Sequence, residues 1–225
     1  MNLQEMETRI KELEKQVQTL RDIEDIQRLQ KSYGYYLQHW MYEEIIDLFS
    51  DSPDTVLSLM AVIFLGKQGV RRYFSSFKSL NDNPEFIHEI MQLSGIVDIA
   101  PDGKTAKGRW YGYGSLAMPI GKGVKASILN GIYTTEYIKE GGTWKILTLT
   151  WNPLVITSPN ESWVKKERIE AAGTGATTDL TPEPDKPRDF DSRYPSGYIV
   201  PFHFKHPVTG KKSGEEKRNA SPKRK

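Results

Sequence analysis

The sequence predicts an α+β fold in which N-terminal helices pack inside one strongly curved antiparallel sheet. Three observations carry that expectation. Apolar residues recur at helical spacing through the first fifty residues. Four long strand-like stretches follow between Glu85 and Ile156, parted by turn sequences. The second of these is interrupted by Gly108, Gly112 and Gly114, which suits a strongly curved strand or close backbone approach to a ligand.

Residues 1–24 form the first unit. Leu3, Met6, Ile10, Leu13, Val17 and Leu20 keep strict 3,4 spacing, a heptad seam with Glu and Lys between the apolar positions. Three heptads are short for an autonomous coiled coil, so the seam either pairs with another chain or packs on its own domain. The domain proper runs over 25–156. It opens on Ile26 to Phe49, where Ile26, Leu29, Tyr33, Tyr36, Leu37 and Trp40 keep helical spacing and Ile45, Ile46, Leu48 and Phe49 resume it. Groups that handle protons are mixed into this series: Tyr33, Tyr36, Gln38 and His39. Such a helix is either a pocket wall or a core helix whose phenols reach water at the rim.

Ser50 to Asp54 is turn chemistry, and Thr55 to Leu65 reads as a strand or short hairpin. Gly66-Lys-Gln-Gly69 breaks it before a helix over Val70 to Phe77 and a polar loop, Asn81 to Pro84. The four strands are expected over Phe86–Ala100, Thr105–Met118, Val124–Ile138 and Trp144–Ile156, with turns at Pro101-Asp-Gly103 and Glu140-Gly-Gly142. Residues 157–210 read as an extended arm, with a short helix over Ser162 to Ala172 and a Gly, Thr and Pro-rich stretch to Arg188. Tyr194 to Pro207 is too aromatic for a solvated tail and is expected to lie across a surface, over the pocket mouth or a neighbouring subunit. Residues 211–225 read as a disordered basic tail.

Composition narrows the function. With no cysteine among 225 residues, disulfides, thiolate catalysis and thiolate metal sites are excluded. Net charge is +2 with the basic excess in the last fifteen residues, so nucleic acid is not an expected partner. No apolar stretch is long enough to span a membrane, and the charged N-terminal helix has no signal-peptide core, so the expected location is cytoplasmic. His203 and His206 lack a clustered third ligand and Pro207 adjoins them, so no metal site is expected there.

The order of elements resembles the SnoaL-like branch of the nuclear transport factor 2-like superfamily. The likeness rests on Tyr33 and Leu48-Phe49, on Gly66-Lys-Gln-Gly-Val-Arg-Arg-Tyr73, on Pro101-Asp-Gly-Lys-Thr-Ala-Lys-Gly-Arg109 and on Gly142-Thr-Trp-Lys-Ile146, and covers residues 22 to 156. The arm from Tyr194 to Gly210 looks like that of members acting on phenolic compounds, including γ-formaldehyde lyases of lignin-derived diaryl compounds. This resemblance implies a cone-shaped single domain free of metal and organic cofactor, and a homo-oligomer, a trimer rather than a dimer. It implies a lyase or dehydratase acting on a small phenolic or aromatic hydroxy compound, eliminating water or formaldehyde. A non-catalytic binder of the same fold, an isomerase, or an assembly protein built on the seam and arm remain alternatives, because one fold serves many functions.

In dehydratases of the superfamily a helix tyrosine and an aspartate five residues later face the pocket, with a histidine opening a central strand. Tyr33 and His88 match the first and last, but Gln38 stands at the aspartate position, and an amide is no general base. His88 is the expected proton carrier, since imidazole titrates near neutrality, and Tyr33 would position or protonate an oxygen. Arg109, Tyr111 and Tyr113 alternate onto one strand face. If that face is concave, Arg109 holds an oxyanion and the tyrosines stack on a ring; if convex, they are contact residues. Tyr36, Gln38, Asn130 and Trp151 complete the expected substrate-binding set, with Asn130 read as a pocket amide or a bulge residue.

Overall fold

The computed structural model describes residues 2–60, 62–80, 83–120, 122–160, 182–188 and 200–212. The helix expected over Ser162 to Ala172, the segment 189–199 and residues 213–225 lie outside the described residues.

The first two expected helical units are one element, α1, Leu3–Gln38. Asn2 caps it reciprocally: its side chain accepts from the Glu5 amide at 2.9 Å and Glu5 accepts from the Asn2 amide at 2.9 Å. Nothing between Leu20 and Tyr33 can break a helix, since the first glycine is Gly34 and no proline occurs. Only the second half docks. Asp22, Ile26, Gln30, Tyr33 and Leu37 are buried, whereas every seam residue from Leu3 to Leu20 is exposed. The seam therefore does not pack on its own domain. After α1 the chain turns at Trp40 (φ 46) into α2, Tyr42–Asp47.

Strands β1, Val56–Leu59, and β2, Val62–Leu65, form the short hairpin, followed by α3, Gly66–Ser76, and a single 3₁₀ turn, Lys78–Leu80. The long strands are β3, Ile87–Ile99; β4, Thr105–Ile120; β5, Gly123–Glu140; and β6, Thr143–Thr157. With β7, Lys186–Pro187, they make one seven-stranded sheet in the order β3-β4-β5-β6-β1-β2-β7. Every pairing is antiparallel except β1 with β6, so the expected antiparallel sheet contains one parallel pair. Register shifts at Leu93/Ile96, Asn130/Gly131 and Glu136/Tyr137 are bulges, and bulges bend and twist a strand. The sheet thus curls round α1, leaving a concave face for the core and a convex face outside.

Inward-facing glycines have a packing role. A Cβ on Gly112 would overlap the Trp151 ring, and one on Gly131 would strike both that ring and the Asn152 backbone. The described part of the arm lies on the chain's own domain, where Arg188 donates to the Trp151 carbonyl at 2.7 Å. Asp185 accepts from the Leu65 amide at 2.6 Å and pairs with Arg72 at 2.8 Å, holding β7 to the edge strand β2. Lys211 and Lys212, placed in the disordered tail, instead close a turn on His206 and Lys205. Among the described residues no helix is long and apolar enough to cross a membrane.

Candidate active site

Between α1, α3 and the concave sheet lies a cavity of about 120 Å³. Its walls are aliphatic and aromatic, and the titratable side chains among them are Tyr33, Tyr73, His88 and Tyr133. Tyr33 comes from the docked stripe of α1, edge-on to Phe74 (6.4 Å) and to Tyr133 (6.1 Å). Tyr133 in turn lies on the Trp151 indole at 4.4 Å, the ring that Gly112 and Gly131 seat. His88 stacks on Trp40 with ring centres 5.2 Å apart and planes 21° from parallel. Trp40 is itself fixed, its indole N–H donating to the Phe74 carbonyl at 3.1 Å.

The electrostatics of this site follow from burial. His88 Nδ1 is sealed from solvent with no hydrogen-bond partner, and such orphaned atoms are uncommon in folded proteins. Desolvation pushes the His88 pKa down to about 4, so the imidazole is neutral at neutral pH. Burial pushes the phenol of Tyr33 well above its ordinary value, reinforced by Tyr133 and Tyr73. Burial raises Tyr73, and it raises Tyr133 against the opposing hydrogen bond from Gln92. All three phenols therefore remain hydrogen-bond donors. Among the described residues three non-glycines have positive φ, and two of them, Trp40 and Met60, line the cavity. Each costs roughly 1–2 kcal/mol of backbone strain, a cost that collects at functional sites.

The opposite end of the cone is polar too, and apart from Thr135 Oγ1 its buried side-chain atoms are bonded. Asp22 accepts from Lys139 (2.6 Å), Trp144 Nε1 (2.9 Å) and Gln18 (3.1 Å). Burial pushes the Asp22 pKa up, and these bonds outweigh it and hold it below the ordinary value. Two turns on, Tyr137 donates to Gln30 Oε1 (2.7 Å) and accepts from Trp110 Nε1 (3.0 Å), while Gln30 donates to Gln92 (2.8 Å).

Of the residues singled out in the sequence, the structure brings Tyr33, His88 and Trp151 together round the cavity. It does not bring Arg109 there. Trp110 faces the core, so Arg109, Tyr111 and Tyr113 face outward, with Tyr111 and Tyr113 54% and 47% exposed. The Arg109 guanidinium donates to the Val200 and Pro201 carbonyls (3.0 and 3.1 Å) and lies 4.4 Å from the Phe202 ring centre, fastening the arm. Asn130 pairs with Tyr113 beside a register shift, which is the bulge reading and not the pocket amide. Gln38 is exposed in a separate groove between α1 and β3, His39 is exposed, and Tyr36 is half-buried against the core without lining the cavity. His203 lies 3.4 Å from Asp98 Oδ2 on the outer face, and His206 Nδ1 accepts from the Val208 and Thr209 amides. Tyr133, Tyr73 and Met60 are cavity residues that the sequence did not single out. The alternation of Trp110 and Gly112 opposite Tyr133 and Gly131 is the signal that could have fixed the strand phase.

Helices laid in one curled sheet over an aromatic cavity define the nuclear transport factor 2-like cone. Residues 18–150 match the SnoaL-like domain, and the chain belongs to that family. Among solved structures it is similar to a protein of Novosphingobium aromaticivorans provisionally named an aromatic ring hydroxylase. That match has 23% identity and a TM-score of 0.52, covering 62% of this chain and 94% of the other. A second protein of that organism, provisionally named a scytalone dehydratase, is 18% identical with a TM-score of 0.52, covering 66% and 94%. The protein LinA is 15% identical with a TM-score of 0.50, covering 67% and 97%. What these proteins share with this chain is the fold.

Proposed function

We propose that this protein is a cofactor-independent lyase of the dehydratase type, acting on a small hydroxylated ring compound in the central cavity. The observation that carries the proposal is His88, a neutral, desolvated imidazole with an unpartnered buried nitrogen, facing an apolar cavity whose other titratable groups are phenols. A neutral imidazole can take a proton from carbon. The released electron pair forms a C=C bond, the neighbouring C–O bond breaks, and the leaving hydroxide collects the proton as water. Tyr33 and Tyr133 keep their own protons and donate hydrogen bonds to the oxygen on which charge gathers. The dry aromatic walls strengthen those bonds.

The size of the cavity sharpens the substrate class. A void of about 150 Å³ admits benzene, so a cavity of about 120 Å³ points to a compact ring compound. A second reading, a non-catalytic binder, is favoured by one observation: among the described residues no carboxylate lines the cavity. Calorimetric titration and turnover assays with monocyclic phenols and cyclic hydroxyketones separate the two. For an enzyme, His88→Ala should lower turnover by about 10²–10⁴-fold with the fold intact by circular dichroism. Binding with no product, unchanged in His88→Ala, would establish the binder.

A further inference from the structure

The first half of α1 projects from the domain with its whole apolar seam in water. Leu3, Met6, Ile10, Leu13, Val17 and Leu20 are 72, 42, 53, 45, 45 and 67% exposed. At 100° per residue, the seam is centred roughly 180° round the helix from the docked stripe of Asp22, Ile26, Gln30, Tyr33 and Leu37. The domain that buries one side of α1 therefore cannot reach the other. The seam also stops where the repeat turns polar, since its next positions are Glu24, Gln27 and Lys31.

We propose that this seam binds the seam of a second copy of the chain, forming a parallel two-stranded coiled coil. Three observations name the occupant. β-Branched Ile10 and Val17 at a, with Leu13 and Leu20 at d, is the arrangement that favours two parallel strands over three. In that register Arg9 at g faces Glu14 at e of the other helix, an opposite-charge pair across the seam that the two-fold axis repeats. The third is steric. Each helix carries its sheet on the side away from the seam, so two domains sit outside the pair and do not collide. Nor does this helix have to nucleate alone. Its second half is already fixed by packing, which removes the cost that makes short isolated coils marginal.

The test uses the full chain. Sedimentation equilibrium at micromolar concentration should give about twice 25.7 kDa, and an Ile10→Lys, Leu13→Lys double variant should give 25.7 kDa with an unchanged thermal midpoint. Both positions lie on the exposed half of α1, so the variant leaves the domain core untouched. Orientation is read by Leu20→Cys, the sole thiol in a protein without cysteine. Parallel pairing places the two thiols within disulfide reach, and oxidation should convert most of the chain to a covalent dimer. Antiparallel pairing of the same seam would hold them about 25 Å apart. A monomer or a trimer of the parent, a dimer that survives the double lysine variant, or Leu20→Cys that fails to cross-link in a dimer would each overturn the proposal.

Discussion

One helix supplies two polar layers to the interior of this cone, and they are built on opposite terms. At the narrow end, Asp22 and Gln30 meet Lys139, Trp144, Tyr137, Trp110 and Gln92, and each of these side chains has its polar atom bonded within the protein. One turn beyond Gln30, Tyr33 meets His88, Tyr73 and Tyr133 round an open space, with His88 Nδ1 left without a partner. A layer whose named groups are all bonded specifies structure; one that leaves an imidazole nitrogen unpartnered keeps bonding capacity for a ligand. The difference teaches that polarity in this core is no guide to function until the partners have been counted.

The largest effect should come from breaking the satisfied layer. Asp22→Ala strands the Trp144 N–H in the core and leaves Lys139 without its anion, and should cost about 3–5 kcal/mol, read as a lower urea midpoint. The cavity layer should answer to pH instead. Because burial holds the His88 pKa at about 4, the unfolded chain takes up a proton below about pH 6.5 that the folded chain refuses. Stability from this group is therefore complete above pH 6.5 and is lost as pH falls toward 4, on the order of 2–3 kcal/mol by pH 4.5. His88→Leu should lose less stability than the parent over that interval, and parallel pH titrations would sink the assignment. The finest test deletes one hydroxyl from each layer. Tyr137→Phe removes a partner from both Gln30 and Trp110 and should cost about 1–3 kcal/mol, while Tyr73→Phe should stay within about 0.5 kcal/mol. Equal losses at the two positions would erase the distinction between the layers.

The elements of this fold were legible because their periods are strong. The docked stripe of α1, the hairpin before Gly66 and the four long strands fall where the spacing of apolar residues and turn signals sets them. The site was legible on the helix at Tyr33, where a period of 3.6 names the inward face. On β4 it was not, because a period of two leaves undecided which of two alternating sets faces the core. Arg109, Tyr111 and Tyr113 carried the more evident chemistry and took the outer face, while Trp110, Gly112 and Gly114 took the inner. Gln38 is set aside by the course of α1 in this chain. Five residues after Tyr33 it stands about 140° round a straight helix, and α1 runs without a break between them. Tyr73, Tyr133 and Met60 come from three separate places in the chain, and their convergence is a property of the curled sheet that no local window contains.

The unbroken run of α1 from Leu3 to Gln38 also sets rules for how the gene can change in length. A loop absorbs an added codon; a rigid helix converts it into rotation. One residue inserted after Leu20 would swing the whole seam by about 100°, from the far side of the helix toward its flank. A seven-residue insertion would shift it by only about 20° and lengthen the stalk by about 10 Å. Homologues with a seam of this kind should therefore differ between their Leu20 and Asp22 counterparts by lengths close to whole numbers of helical turns, such as seven, eleven or eighteen residues, a gap pattern that loops have no reason to keep.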